Sequence, residues 1–448
     1  MKRKNKPLFI LFFARLTLSL PKISIMRVLI VNTSERGGGA AVAAHRLTEA
    51  LNNNGVKAKM LVRDKQTDNI TTVPLPSSWK QKWNFLWERF IIWMKNGFNR
   101  KNLFSVSIAN TGTDITNLPE FREADIIHLH WINQGMLSLK NIKKILSSGK
   151  PVVWTMHDMW PCTGICHYAR ECNRFHDKCG QCWQLSYPKS KDLSYSVLVQ
   201  KQQMYEVAPI HFVTCSQWLE NLARKSHLLA KKSISTIHNP LNTSLFKPDD
   251  KDAARKRLNL PKDKKLILFG AVKITDERKG FNYFVEACQH LVKQDNTQKE
   301  QIGIVVFGNN ASDLQSILPF NVYSLGYISS ESQMTDVYNA VDLYATPSLE
   351  DNLPNTIAEA QACGTPCIGF RIGGIPEMIN HLENGYVAEY RDSKDFAQGI
   401  NWILNEADTQ SLCEQARHKA IVSYGEDCVT KHYIKLYEEI LKKNNEEY

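Results

Sequence analysis

The feature that most constrains this chain is a repeating unit in which a short β-branched run ends at a polar residue or glycine and gives way to a helical stretch. Residues 28–32 read as a buried strand, Gly37-Gly38-Gly39 as a tight loop, 40–51 as a helix ending near Gly55, and 56–62 as the next strand. Further strand-like runs end at His128 to His130, at His157 and at Ser216. Parallel strands need a crossover helix, so such alternation predicts a doubly wound α/β sheet. Between residues 245 and 263 the chain turns polar and charged, and a second series opens at Lys265. Its strands are expected at 302–308, 321–325, 342–346 and 366–370, and its helices at 281–293, 333–340 and 356–363.

Two α/β domains of Rossmann type, 26–245 and 246–425, are therefore expected to face each other across a cleft lined by strand ends. Residues 426–448 read as a C-terminal helix that packs back on the first domain. A chain of 448 residues can bury cores of this size. Lys2 to Lys6 followed by an apolar run at 8–14 resembles the start of a secretory signal. However, Arg15 interrupts it and no small-x-small cleavage site precedes Met26, so residues 1–25 read as an upstream extension, a misplaced start or a basic-apolar membrane contact and are set aside from the fold. No apolar run reaches the 18 residues of a membrane span. The net charge of +11 predicts contact with polyanions: phosphorylated small molecules, an anionic membrane face or nucleic acid. Six of the 11 cysteines are scattered, which suits a reducing, cytoplasmic compartment.

The stretch from Pro347 to Pro366, PSLEDNLPNTIAEAQACGTP, sits between a predicted strand and helix. Its loop carries Glu350 and Asp351, and its helix carries Glu359. At the C-terminal end of a parallel strand, the helix N-terminus at Asn355, Thr356 and Ile357 offers N–H groups to an anion while the carboxylates accept from hydroxyls. A sugar nucleotide needs both. A capping box, Thr356-x-x-Glu359, would explain the same residues by helix stability alone.

This stretch, with Gly373-Gly374-Ile-Pro-Glu377 and Asn384-Gly385, resembles the signature of the retaining glycosyltransferases of family 4, which have the GT-B fold. The resemblance covers most of residues 26–440. It implies transfer of a sugar from a nucleoside diphosphate donor to a hydroxyl of a glycan or lipid-linked acceptor, with retention. The family carries E-x7-E, whereas here the spacing is Asp351-x7-Glu359 with Glu350 one residue out of register, and Asp reaches roughly 1.5 Å less far than Glu. The resemblance implies that Asp351 or Glu350 contacts the transferred sugar and Glu359 the ribose. Gly270 to Gly280 resembles the family's diphosphate site. Lys279 matches its lysine, Val272 stands where an arginine is usual, and Lys273 or Arg278 could compensate. Fixed cations there would stabilise the departing diphosphate.

Gly38 and Gly39 permit close backbone approach to the donor or acceptor, but Val42 occupies the third glycine position of a dinucleotide fingerprint, which argues against a nicotinamide dehydrogenase. His157, at a strand end, corresponds to a family histidine that touches the donor sugar. Cys166-x5-Cys172-x6-Cys179-x2-Cys182, with His176 nearby, has spacing suited to a structural zinc, to disulfides or to free thiols, in a loop expected to frame the acceptor side. No catalytic metal is expected, because no D-x-D falls at a strand end. The aromatic and basic stripe from Trp79 to Lys95 reads either as a helix packed on its own domain or as a contact with an anionic leaflet at the inner membrane face. Two other functions fit parts of the sequence: a sugar-nucleotide epimerase or hydrolase, and a nucleic-acid-binding protein with a zinc-cysteine cluster. The dispersed basic residues and the lack of a binding module argue against nucleic acid.

Overall fold

The computed structural model describes residues 25–273, 276–309, 314–328 and 330–446. The set-aside extension therefore lies outside the described residues except for Ile25. Seven parallel strands form the first sheet: β1 (Arg27–Ser34), β2 (Lys57–Asp64), β3 (Thr72–Pro74), β4 (Ile126–Leu129), β5 (Val152–Met156), β6 (Ile210–Thr214) and β7 (Ser233–Thr236). Their order is β3-β2-β1-β4-β5-β6-β7. The second sheet holds β8 (Lys265–Lys273), β9 (Ile302–Asn309), β10 (Asn321–Ser324), β11 (Leu343–Thr346), β12 (Cys367–Phe370) and β13 (Gly385–Ala388), in the order β10-β9-β8-β11-β12-β13. All pairings within these two sheets are parallel.

Strands such as Val28-Leu-Ile-Val and Leu266-Ile-Leu-Phe are apolar on both faces because helices cover both faces of a parallel sheet. In each sheet the strand order reverses beside its first strand, β1 or β8. There the connections leave in opposite directions and open a crevice at the strand C-termini. The loops after β1, β4, β8 and β11 converge on that crevice. Three short strands, β3, β7 and β13, were not anticipated, since three or four residues carry no readable alternation.

The chain crosses back to the first domain at Gly425, beside Leu241. The final helix, Glu426–Glu446, then buries Val429, Tyr433 and Tyr437 against the core that contains Val28, Ile30 and Met60. Helix α1 (Gly39–Asn53) follows β1 and packs on the same core. Helix α2 (Ser78–Lys95) has inverted polarity: its buried residues are Gln81, Asn84, Glu88, Arg89 and Ile92. Glu88 Oε1 accepts from the N–H groups of Ile108 and Ala109, both at 2.9 Å, and Arg89 donates to the carbonyls of Leu103 and Val106. Its aromatic stripe faces outward instead, with Trp79 75% and Trp83 54% exposed, so it is not core. Among the described residues no helix is long and apolar enough to cross a membrane.

Candidate active site

A cavity of about 730 Å³ lies between the domains, walled by the Gly37–Gly39 loop, His157, Gly270, Lys279 and residues 351–356. Most of the residues singled out from the sequence thus meet in one place. Gly38 has φ 94°, a conformation that favours glycine. The Gly39 carbonyl accepts from Asn355 Nδ2 at 3.1 Å, and Asn239 Nδ2 donates to Asn355 Oδ1 at 3.0 Å, so the glycine loop touches the second domain directly.

The cationic wall comes from a 3-10 turn, Glu277–Lys279, after β8. Gly280 ends it at φ 68°, and a Cβ there would lie 1.8 Å from the Pro347 carbonyl oxygen, which explains the Lys-Gly pair. Lys279 Nζ is 2.7 Å and Arg278 Nη1 3.4 Å from Asp351 Oδ2. Burial would raise the Asp351 carboxyl, yet Lys279 and Arg278 hold it below the ordinary aspartate value. Arg278 also donates to the Glu350 carbonyl at 2.9 Å, while the Leu349 N–H donates to the Arg278 carbonyl. Lys273 ends β8, but its side chain lies outside what the structure describes.

Asp351 lines the cleft, whereas Glu350 lines a separate cavity behind it. The loop that turns these neighbours apart is gripped by Gly373, at φ 61°, and Gly374, where a Cβ would meet the carbonyls of Asp351 and Asn352 at 1.8 and 1.9 Å. Glu377 of the same motif accepts from the N–H groups of Gln217 and Trp218, at 2.8 and 2.6 Å, and so joins the domains at a helix N-terminus.

The helix Asn355–Ala362 starts after Pro354 with no side-chain cap. The capping-box explanation is therefore removed: Thr356 Oγ1 accepts instead from Tyr344 Oη at 2.9 Å. Ile357 departs from expectation, because its side chain is fully buried in the core and its N–H donates to the Pro354 carbonyl. Glu359 is buried with both oxygens engaged, Oε2 by Tyr338 Oη at 2.8 Å and Oε1 by Arg46 Nη2 at 2.8 Å. Arg46 comes from α1, where nothing in local sequence marks it.

His157 reaches the cleft wall, with Nε2 2.9 Å from His130 Nδ1 and Nδ1 3.6 Å from Cys215 Sγ. Burial pushes its pKa down to about 4, so the ring is neutral at pH 7. Beside it, Asp158 is held by His167 Nδ1 at 2.6 Å, Trp131 Nε1 at 2.8 Å and the Trp160 N–H at 2.9 Å. Arg63 also lines the cleft, paired with Asp64, and its guanidinium lies 5.5 Å from the Phe85 ring of α2. Asp158 and Arg63 follow or end strands, which is the signal that could have found them.

Cys166, Cys172, Cys179 and Cys182 line one cavity of about 20 Å³ together with Ile165 and Phe175. Among the described residues no group of three or more histidines, cysteines or acids meets the geometry of a metal site, and the four cysteines form no disulfide. Cys179 Sγ accepts the Gly164 N–H at 3.3 Å, burial raises the thiols of Cys166, Cys179 and Cys182, and His176 is exposed.

Two doubly wound parallel sheets facing each other across a shared cleft define the GT-B architecture. The family model "Glycosyltransferase Family 4" matches residues 37–245, and "Glycosyl transferases group 1" matches residues 250–420. The chain belongs to this family of glycosyltransferases. It is 27% identical over 188 residues to D-inositol 3-phosphate glycosyltransferase 1 of Catenulispora acidiphila, covering 40% of this chain and 44% of that one. It is 24% identical over 230 residues to N-acetyl-alpha-D-glucosaminyl L-malate synthase of Bacillus anthracis, covering 50% and 58%. These alignments thus span about half the relatives' length. Among solved structures, sucrose-phosphate synthase from Thermosynechococcus elongatus superposes with a TM-score of 0.66 at 17% identity, over 93% of this chain and 100% of that one. Anabaena HepE in complex with UDP-glucose gives 0.60 at 15%, over 92% and 100%. At such identities the likeness concerns the fold.

Proposed function

We propose that this protein transfers a sugar from a nucleoside diphosphate to a hydroxyl of a glycan or lipid-linked acceptor, with retention. The observation that carries this reading is Lys279 and Arg278 facing an uncapped helix N-terminus and Asp351 in one interdomain cleft. Donors fixed in a partly dry site stabilise charge that develops on the leaving group without reorganising. Lys279, now paired with Asp351, would turn to the diphosphate, and the free N–H groups at Asn355 and Thr356 would share its charge. Asp351 would accept from hydroxyls of the transferred sugar. In a front-face displacement, a diphosphate oxygen takes the acceptor proton as the new glycosidic bond forms on the face that the leaving group vacates. Neutral His157 would hydrogen-bond without adding charge. Anabaena HepE, solved with UDP-glucose, supports a nucleotide-sugar donor for the same fold.

The outward stripe of α2 would seat the enzyme on the anionic inner face of a membrane. Trp79, Trp83, Trp87 and Phe90 stack in series, ringed by exposed Lys80, Lys82, Lys95, Arg100 and Lys101, while the helix's one acid, Glu88, is buried. Phe85 on that helix contacts Arg63 at the cleft wall, which would bring a lipid-linked acceptor near the donor. A relative from Campylobacter jejuni is named for a diphospho-undecaprenol acceptor. Titration with UDP and UDP-glucose tests the donor site: binding by the native chain and loss in Lys279→Ala are expected. No binding of any nucleoside diphosphate would overturn the reading.

A further inference from the structure

Behind the Glu350–Asp351 loop lies a second interdomain cavity of about 1120 Å³, larger than the cleft itself. One wall is the cysteine-bearing segment of the first domain, and the other comes from Leu349, Ile372, Tyr390 and Arg391 of the second. Arg278 lines both spaces, and the adjacent pairs Tyr168/Ala169 and Glu350/Asp351 put one residue on each side. The two spaces therefore abut at the point where the transferred sugar would lie.

The lining of this cavity combines aromatic rings with cationic side chains. Trp183, Trp218 and Tyr390 line it, the aromatic residues on which the apolar face of a pyranose can pack. Arg170 lies 5.1 Å from the Trp183 ring and Arg391 4.8 Å from the Tyr390 ring. Both arginines hold left-handed backbone, φ 51° and 64°, a conformation that costs a non-glycine residue and persists where surrounding structure fixes it. They come from opposite domains. Arg170 forms no ion pair among the described residues, and Arg391 reaches Glu171 only at 3.7 Å.

Four arginines, at 170, 174, 278 and 391, outnumber the three acids, Glu171, Glu277 and Glu350. Burial pushes Glu350 up to about 7, so the acidic side is weaker still at neutral pH. Its Oε1 accepts the Arg170 N–H at 3.1 Å, tying the first domain's segment to the loop that carries Asp351.

We propose that this second cavity binds an acidic sugar residue, carboxylate- or phosphate-bearing, of the acceptor glycan beside the transfer site. The proposal rests on the glycosyltransferase reading above. It gives the cysteine-bearing segment a role in specificity, since that segment supplies Arg170, Arg174 and Trp183.

The test compares cellobiose, glucuronosyl-β-1,4-glucose and cellobiose 6′-phosphate by equilibrium binding to the full chain. At least one acidic disaccharide should bind about tenfold more tightly than cellobiose, as expected for a charge-assisted contact. The winning arm tells carboxylate from phosphate. In Arg170→Gln/Arg391→Gln that preference should vanish. Equal binding of all three sugars by the native chain, no binding of any, or an intact preference in a folded double variant overturns the proposal. If the double variant misfolds, the native comparison decides. Affinity for nucleoside diphosphates measured in parallel reports the donor site: acidic-sugar preference without binding of any nucleoside diphosphate would sink the donor reading and leave this cavity standing.

Discussion

Arg46 of α1 reaches across the contact between the domains and sets Nη2 2.8 Å from Glu359 Oε1, while the same nitrogen lies 2.6 Å from Glu331. The second carboxylate of the family signature is thus fixed by a cation from the opposite domain. The Arg46 and Glu359 side chains are both nearly sealed from solvent, so the pair is stabilising only while it is complete.

Arg46→Gln leaves Glu359 buried without its partner, and breaking such a pair typically costs about 3–5 kcal/mol. The urea midpoint should fall clearly, and Arg46→Lys should recover part of the loss. A midpoint unchanged in Arg46→Gln would mean that the pair carries no stability.

Lys279→Ala removes the charge proposed to meet the leaving diphosphate, a contact worth about 3 kcal/mol or on the order of 10² in turnover. Asp351→Asn should also depress turnover, since it alters the cleft wall and leaves Lys279 unpaired. Glu350→Gln faces the other cavity and should affect donor affinity much less. Steady-state assays with the UDP-sugar that most raises the melting temperature separate the three; equal losses in Asp351→Asn and Glu350→Gln would erase the distinction.

Burial raises the Glu350 pKa from 4.5 to about 7, so between those values the folded chain holds a proton that the unfolded chain has released. Stability contributed by this group is therefore present below pH 4.5 and declines as pH rises toward 7, by an amount on the order of 3 kcal/mol. Glu350→Gln should flatten that part of the stability profile and gain on the native protein at pH 8. Parallel profiles for the two chains would contradict this.

Trp79→Ser/Trp83→Ser/Trp87→Ser alters exposed rings and should leave the melting temperature nearly unchanged while abolishing co-sedimentation with anionic vesicles. Each Lys or Arg near an anionic surface adds about 1 kcal/mol, so native binding should weaken as salt rises. Equal binding to neutral vesicles, or none at low salt, would remove the membrane from the proposal.

Much of the site was legible in sequence because its chemistry is local. Gly280 and Gly373–Gly374 announce turns that no side chain could occupy, and Lys279 and Asp351 lie in the loops that follow β8 and β11, at the strand ends where a doubly wound sheet puts its ligands. Other features were not legible. Ile357 sits beside residues of the site yet faces the core, because one step along a helix swings a side chain by about 100°. The cysteine spacing suited a zinc, disulfides or free thiols alike, because spacing alone does not fix how four sulfurs sit in space; in the fold all four line one small cavity.

By itself the sequence determined the alternation of strand and helix, hence two parallel sheets and a cleft at their switch points, since backbone periodicity and crossover geometry depend on neighbours in the chain. Tertiary structure alone decided three things. It turned adjacent Glu350 and Asp351 into separate spaces, brought Arg46 onto Glu359 from a distant helix, and buried the polar face of α2 so that its tryptophans point outward. Each depends on which surfaces meet across domains or layers. A buried acid that finds two backbone N–H groups, as Glu88 does, can outweigh the pull of an aromatic stripe toward the core.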